Sequence, residues 1–329
     1  MTAPPLDAST ITAFVEDASA APSLLNAQPW KFRFLRDDGV LRLHADPERA
    51  LPKSDPDGRG LHLGCGAALF NLRVAATAAG WRPATQLLPD TSDPELLAEV
   101  ELTRTPGLDE TLALLRPAIH RRHTSRYPFR EDDIPGDLQD GLCAAADLEG
   151  ARLVFPDAWH VQSVLELVHD AEGQEAQDPG LRDETVRWAR TDPAGEAKAS
   201  DGIPVEAFGP GQRGAGSPVR DFAAGRTVPG RGWASFENRP HIALLGTERD
   251  QPLDWLRAGQ ALERVLLRAT LDGLVASLAS QPLEWPELRW AVRDPESAMG
   301  HVQMVIRLGY GPEGPVTPRR PVADVLDII

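Results

Sequence analysis

Cysteine is scarce in this chain of 329 residues. Its two cysteines, Cys65 and Cys143, lie far apart and form no CxxC motif, so the sequence indicates neither a zinc site nor a disulfide framework. Residues 1–7 carry neither a basic nor an apolar region, and no secretory signal is visible there. No uncharged apolar run approaches the length of a membrane span. We therefore expect a cytoplasmic protein with reduced thiols.

Positive charge is also in short supply. Lys and Arg together number 34 against 49 Asp and Glu, which gives a formal net charge of -15. This balance argues against nucleic acid and anionic membranes as partners. The chain also lacks HExxH and GxSxG motifs and any nucleophile–base pair, so we expect no metal, and no residue can be named as catalytic. Its hydrophobic fraction of 42% and charged fraction of 25% are ordinary for a soluble globular protein.

One basic segment, residues 121–129, stands out in this acidic chain. Its first part combines three guanidiniums, two hydroxyls and an imidazole: Arg121, Arg122, His123, Thr124, Ser125 and Arg126. Arginine offers a rigid fork of donors that suits phosphate, and hydroxyls can complete an anion cradle. We interpret the segment as the phosphate and sugar clamp of a bound cofactor. A solvated basic turn after a helix is the alternative.

A front loop, residues 21–30, follows the first predicted helix, which Ser9 or Thr10 can cap. Pro22 and Pro29 keep that helix from running through the loop. The loop carries three hydrogen-bonding side chains, on Ser23, Asn26 and Gln28.

Alternation of apolar and polar residues predicts strands around residues 30–34, 41–44 and 302–308. Two long apolar helices are predicted over residues 64–80 and 258–274, the first of them central and buried. Residues 277–284 are predicted as a polar loop.

The pattern weakens between Glu172 and Trp233, where Gly, Pro and polar residues dominate. A structureless loop of that length within a compact domain is uncommon, and is usually a functional lid or a disordered segment. Trp188, Phe208 and Phe222 are embedded in it, which favours a lid that packs on something. A plain disordered excursion is the alternative.

The two long helices align without gaps, with Gly66 on Gly259, Leu69 on Leu262 and Gly80 on Gly273. We infer two similar α+β units fused in one chain as a pseudo-dimer, residues 1–105 and 106–329, the second with a lid insertion at about 172–233. Sites form readily where such units meet. Chance similarity between helices rich in Ala and Leu is the alternative. One complete site is expected, built from the front loop of the first unit and the cations of the second.

These motifs together resemble the FMN-binding nitroreductase superfamily, and look closest to its fused Acg subgroup. In that superfamily an Arg-His-Ser-Thr-Lys type opener grips the FMN phosphate and ribityl chain. Residues 122–126 match the opener with Thr and Ser exchanged and Arg in place of Lys. Residues 22–30 match the partner subunit's Pro-Ser-x-x-Asn-x-Gln-Pro-Trp loop, and Arg319 or Arg320 matches the basic residues that finish the phosphate site. Residues 280–284 match a segment whose backbone meets the flavin ring.

The resemblance implies FMN as the cofactor and a nitroreductase-like fold of the α+β class. The cofactor-binding residues that it implies are Pro22, Ser23, Asn26, Gln28, Arg122, His123, Thr124, Ser125, Arg126, Ser280, Gln281, Pro282, Arg319 and Arg320. Gln28 has a second interpretation as a brace of its own loop, and His123 has one as a packing residue.

Three functions follow from this resemblance. The leading one is an FMN-dependent oxidoreductase that passes electrons from a reductant, NAD(P)H, to a small organic acceptor such as a nitroaromatic or a quinone. The second is a non-enzymatic protein that sequesters FMN beneath its lid. The third is a tailoring dehydrogenase or monooxygenase-like enzyme whose lid forms the substrate pocket. The chain would act as a monomeric pseudo-dimer or as a homodimer.

Overall fold

The chain folds around two β-sheets and two long helices. The structure, a computed structural model, describes residues 6–104, 109–191, 199–213, 219–297 and 299–329. The helices of the described part are α1 (Ala8–Ser19), α2 (Arg59–Ala78), α3 (Glu110–Ala113), α4 (Gly136–Asp147), α5 (Ala158–Gln177), α6 (Pro179–Trp188), α7 (Pro252–Leu271) and α8 (Pro286–Ala291).

The strands are short to moderate in length. They are β1 (Trp30–Leu35), β2 (Val40–Ala45), β3 (Trp81–Leu87), β4 (Leu96–Arg104), β5 (Arg152–Val154), β6 (Ala189–Arg190), β7 (Ile203–Pro204), β8 (Gly211–Gln212), β9 (Trp233–Ala234), β10 (His241–Thr247), β11 (Val275–Ala279), β12 (His301–Gly309) and β13 (Leu326–Ile328).

The two larger sheets share one strand order. The first runs β13-β1-β2-β4-β3, and the second runs β5-β10-β12-β11. Neighbouring strands pair antiparallel in both, except that β13 pairs parallel with β1. If β13 is set aside, each sheet has four strands. In both sheets their spatial order is the first, second, fourth and third strand along the chain. The fold is therefore mixed α+β, as the sequence predicts.

Helices α2 and α7 pack against each other at a pair of glycines. A Cβ atom on Gly66 would overlap the carbonyl oxygen of Leu256, and one on Gly259 would overlap the carbonyl oxygen of Leu63. Each glycine thus meets the carbonyl three residues before the other glycine. That reciprocity is the contact pattern of a two-fold axis, and it falls on the two glycines that the sequence alignment pairs.

The alternation of apolar and polar side chains correctly predicts which face of β1 is buried. Trp30, Phe32 and Phe34 of β1 are buried, whereas Lys31 and Arg33 are not. Helix α2 is buried over most of its circumference, which confirms that it is central.

Both long helices begin earlier than the pattern predicts, at Arg59 and Pro252, because polar first turns hide their starts. Asp7, rather than Ser9 or Thr10, caps α1 by accepting a hydrogen bond from the Thr10 amide. Strand β11 occupies part of the predicted polar loop 277–284.

The prediction that residues 172–233 lack regular structure is wrong for the first part of this stretch. Helix α5 runs to Gln177, and α6 follows as far as Trp188. The polar surfaces of these helices concealed their periodicity. Residues 192–198 and 214–218 of this stretch, and the expected boundary between the units at 105/106, lie outside the described residues. Among the described residues, no helix is long and apolar enough to cross a membrane.

Candidate functional site

A cavity lies between the front loop and the basic segment, against the first turns of α2. Together with its mouth, which opens to solvent, it encloses about 970 Å³ of empty space. Its lining residues are Pro22, Ser23, Leu24, Leu25, Asn26, Arg59, Gly60, Leu63, Gly64, Arg122, Thr124, Arg126, Ile203, Arg220, Phe222, Leu262, Leu278, Ser280, Met304, Thr317 and Arg319. We call it the main cavity. The structure thus brings together the two regions on which the sequence-based hypothesis depends.

The basic segment enters the main cavity with every second residue. Arg122, Thr124 and Arg126 line it, whereas Ser125 is buried on the other side and donates to the Pro312 carbonyl at 2.7 Å. The segment is extended here because Thr124 forms a parallel bridge with Ala276 of β11, and the Ser125 amide donates to the Ala276 carbonyl at 2.8 Å. An extended chain points alternate side chains to opposite sides. The opener therefore presents two cations and one hydroxyl to the cavity.

Two arginines from distant parts of the chain meet at the end of α1. Arg122 Nη2 and Arg319 Nη2 both donate to the Ala20 carbonyl at 3.0 Å. Carbonyl groups at a helix C-terminus attract cations. The Nε atoms of both arginines are buried without a hydrogen-bond partner among the described residues. Burial, and then the neighbouring Arg122, lowers the pKa of Arg319 to about 9. Two guanidiniums are thus held close together with donors to spare.

A buried carboxylate stands behind these arginines. Glu263 of α7 is fully buried, and its Oε1 lies 3.4 Å from Arg122 Nε. The amide of Asn71 on α2 approaches this carboxylate without completing a hydrogen bond. Burial raises the pKa of Glu263, although Arg122 acts in the opposite direction.

The front loop holds an unusual backbone conformation. Leu25, Asn26 and Gln28 all have φ between 52° and 54°, a region that costs energy for residues other than glycine. Side-chain hydrogen bonds hold it: Gln28 N donates to Ser23 Oγ at 2.9 Å, and Asn26 Nδ2 donates to the Gly202 carbonyl at 2.9 Å. The loop is therefore fixed by segment 199–213, which packs on it.

Further cations line the main cavity. Arg126 lies over the Phe222 ring at 4.7 Å and donates to the Ala207 carbonyl at 2.8 Å. Burial, and then Arg220, lowers the pKa of Arg126 to about 10. Burial, and then Arg289, likewise lowers the pKa of Arg59 to about 10.

Arg220 differs from the other cations of the cavity because it is hydrogen-bonded to two carboxylates. It donates to both oxygens of Glu284, at 2.8 and 2.9 Å, and to Glu175 at 3.0 Å. Ser280, which lines the cavity, also donates to Glu284 at 2.8 Å. The second half of the predicted lid is thereby fastened to the loop after β11.

Several predicted site residues do not line the main cavity: Gln28, His123, Ser125, Gln281, Pro282 and Arg320. Gln28 braces its loop, since its Oε1 accepts from the Arg320 amide and its Nε2 donates to the Ser200 carbonyl, both at 2.8 Å. Arg320 pairs with Asp46 at 3.2 Å. His123 faces a neighbouring cavity, on the other side of the basic segment from the main cavity. Burial, and then Arg122, lowers the pKa of His123 to about 4, so it is neutral at pH 7.

The sequence-based list missed Arg59, Arg220 and Phe222. Arg59 is the first residue of α2 and precedes the predicted helix 64–80, so the apolar pattern did not mark it. Arg220 and Phe222 stand in the stretch without periodicity, where nothing local marks them.

A half-buried carboxyl contacts Gln281, the neighbour of the cavity-lining Ser280. Glu172 of α5 accepts from Gln281 Nε2 at 3.2 Å, and burial raises the pKa of Glu172 to about 7 from 4.5. The folded chain therefore binds this proton more tightly than the unfolded chain does. Its contribution to stability is present below about pH 4.5 and is lost as the pH rises through about 7.

We expect Glu172→Gln to be more stable than the parent at about pH 8, by about 1–2 kcal/mol. The full shift corresponds to about 3 kcal/mol, reduced here because the side chain keeps some contact with water. The gain should largely vanish at about pH 5. Urea unfolding at both values measures this, with Glu166→Gln on the exposed face of the same helix as the control. An equal gain at both values would contradict the expectation.

Comparison with known proteins finds relatives that are similar to this chain over nearly its whole length. No protein-family model matches the chain. The Mycobacterium tuberculosis protein Rv3131, provisionally named an NAD(P)H nitroreductase, is 33% identical over 332 residues, which cover 98% of this chain and 92% of the relative. The protein acg of the same organism, with the same provisional name, is 28% identical over 354 residues, 97% of this chain and 95% of acg.

Solved structures of low sequence identity also match. A nitroreductase with bound FMN from Bacteroides fragilis is 15% identical, covers 63% of this chain and 92% of its own, and has a TM-score of 0.36. A structure described as a nitroreductase from Anabaena variabilis is 11% identical, covers 93% of this chain and 74% of its own, and has a TM-score of 0.42.

Proposed function

The chain belongs to the nitroreductase family, as its 33% identity to Rv3131 over nearly its whole length establishes, and on that premise we propose that it is an FMN-dependent oxidoreductase. The reductant is NAD(P)H, which the provisional names of its relatives suggest. The acceptor is a small organic molecule. The observation that carries the proposal is a cavity in which buried guanidiniums from two parts of the chain meet apolar walls.

The residues present fit FMN. A phosphate dianion requires several charge-assisted donors. The guanidiniums of Arg122 and Arg319 line the cavity, and the Nε of Arg319 is buried without a hydrogen-bond partner among the described residues. A flat ring system requires apolar walls, and Leu63, Leu262 and Met304 provide them. We assign Arg122, Arg319 and Thr124 to the phosphate and ribityl chain, and Ser23, Arg126 and Ser280 to the remainder of the molecule.

The flavin, when bound, supplies the hydride and electron chemistry. The protein supplies binding, orientation and the exclusion of water. Arg126 and Arg59 place positive charge along the cavity, which would favour electron-rich forms of the ligand. Phe222 and Ile203 cover the cavity with apolar surface. His123 is neutral at pH 7 and faces away, so it is not assigned a part in proton transfer.

We also propose that the chain is an internal duplication, with units 1–105 and 106–329 and the insertion at about 172–233 acting as a lid. The shared strand order of the two sheets and the reciprocal contacts of Gly66 and Gly259 support this. One site would result, because the basic segment belongs to the second unit alone.

The covering insertion favours a second function, sequestration of FMN. Asn26 is bonded to Gly202, the Arg126 guanidinium lies over the Phe222 ring, and Ile203 and Phe222 line the cavity, so described parts of the insertion form part of its wall. An insertion that closes over bound FMN would retain it while denying entry to nicotinamide.

Anaerobic addition of NADPH or NADH to the flavin-loaded protein tests the proposed function. Rapid bleaching of the flavin band, followed by reoxidation with a nitroaromatic or a quinone, is expected of an oxidoreductase. A flavin that responds to dithionite but to neither nicotinamide would instead support sequestration.

The variant Phe222→Ala separates the two functions further. Truncation removes apolar cover from the cavity and a cation–π contact with Arg126, which is worth about 0.5–2 kcal/mol. If the insertion excludes reductant, we expect faster bleaching and a faster release of FMN, by roughly 3–30-fold. Trp233→Ala, at an exposed aromatic of the same insertion, should change neither rate. Unchanged rates in Phe222→Ala would remove the basis for a cover.

A further inference from the structure

Arg122 and Arg319 lie in a group of buried polar atoms that have no hydrogen-bond partner. Among the described residues these are Arg122 Nε, Arg319 Nε, both carboxylate oxygens of Glu263, and the nitrogen and oxygen of the Asn71 amide. Native proteins leave only a few buried polar atoms unpaired in each hundred residues. Several at one point indicate that the protein part of the site is incomplete. A ligand that binds the two arginines would also change the charge around the Glu263 carboxylate.

The charged and polar groups around Glu263 come from three parts of the chain. Arg122 from the basic segment and Arg319 from the C-terminal region attract the carboxylate, and Asn71 of α2 approaches it from the facing helix. Without ligand, two guanidiniums and one carboxylate sum to a single positive charge. Glu263 stabilises that state, because it offsets the repulsion between two buried cations.

A bound phosphate reverses this balance. The phosphate carries nearly two negative charges above its second pKa of about 6, so the buried cluster would hold a net negative charge. Burying an uncompensated charge is costly, and a group that can neutralise itself does so instead. The Arg122 donors that face Glu263 are also drawn toward the stronger anion.

We propose that Glu263 is a positioning residue that takes up a proton when the FMN phosphate engages Arg122 and Arg319. The proton comes from solvent and binds a carboxylate oxygen, and no electron moves. The neutral carboxyl can then donate a hydrogen bond to the Asn71 amide oxygen. This inference rests on the proposed binding of FMN, and it adds that cofactor loading is linked to pH through a residue on the central helix.

The sign of the linkage follows from the proton count. If the loaded chain holds one more proton than the empty chain, affinity falls as the pH rises, by up to about tenfold per pH unit. Above about pH 7 the phosphate no longer changes its own charge. A fall in affinity above that value therefore reports on the protein.

Calorimetric titration of FMN into the flavin-free protein measures the proton directly. At about pH 7.5, in two buffers of different ionisation enthalpy, the parent should take up close to one proton per FMN. Glu263→Gln should take up none, should bind FMN about tenfold more tightly, and should keep that affinity as the pH rises. Its flavin-free form should have the lower Tm, since it loses the offsetting carboxylate.

The matched control is Glu149→Gln. Glu149 is a buried carboxylate that accepts from Arg73 at 2.6 Å and from Arg264 of α7 at 2.8 Å, and it does not line the main cavity. That variant should be less stable but should keep the proton uptake and FMN affinity of the parent.

The outcomes are distinct. FMN binding by the parent without proton uptake overturns the inference alone, and it does so even if Glu263→Gln fails to fold. Equal proton uptake in the parent and Glu263→Gln, or no tighter binding by the variant, overturns it as well. A parent chain that binds no FMN in any buffer overturns the proposed function and this inference together.

Discussion

The double variant Arg122→Ala, Arg126→Ala is expected to purify with no more than a trace of the flavin absorption of the parent. Each arginine offers a charge-assisted donor to the cavity, worth about 1.5–3 kcal/mol net. Loss of both should weaken FMN binding by roughly 10²–10⁴-fold. The measurement is the visible spectrum of the purified protein, followed by titration with FMN.

Two further variants separate binding from folding. Arg122 is buried against Glu263, so its truncation also leaves an unpaired buried carboxylate, which costs about 3–5 kcal/mol. Arg122→Lys keeps the charge and removes only the fork of donors, and should lose affinity by roughly tenfold while staying folded. Arg121→Ala, at the exposed neighbour, should retain full flavin content. A folded double variant with full flavin occupancy would show that the clamp assignment is wrong.

Gly259→Ala is expected to destabilise the fold by about 2–4 kcal/mol, despite the better helix propensity of alanine. The new methyl group would overlap the Leu63 carbonyl and lie 2.9 Å from the Gly66 Cα. Both are backbone atoms of a packed helix, so they cannot rotate aside as a side chain can. Helices α2 and α7 would have to separate.

The effect should reach the cavity as well as the stability. Leu63 on α2 and Leu262 on α7 both line it, so separation of the helices widens its floor and weakens FMN binding. Gly173→Ala is the control, because it lies within α5 and its Cβ would meet nothing within 4 Å. That change should stabilise by about 0.5–1 kcal/mol. Chemical unfolding of both variants measures the contrast, and a neutral Gly259→Ala would contradict the close packing of the two helices.

Features encoded by local chemistry were predictable from sequence. The front loop and the basic segment concentrate their signals within a few residues, and both line the main cavity. The buried strand β1 was predictable because Trp30, Phe32 and Phe34 alternate with charged residues. The central helix was evident from its apolar circumference.

Features decided by distant contacts were not predictable in this way. Arg220 lines the cavity because Glu284 and Glu175 hold it there, and neither is near it in sequence. Gln28 and Asn26 look alike in the front loop and both make hydrogen bonds to distant backbone groups, yet only Asn26 lines the cavity. Strand β3 was missed because its pattern is weak, and the three-residue β13 because pairing with β1 alone defines it.

The parallel pairing of β13 with β1 has a consequence for biosynthesis. The end of the chain returns to the sheet built from its beginning, and on the way it brings Arg319 to the Ala20 carbonyl. A ribosome delivers Arg319 after the other residues that line the main cavity. The front loop and the basic segment can therefore emerge and meet while the site still lacks the Arg319 guanidinium, so a tightly held cofactor would be acquired only once Arg319 has emerged.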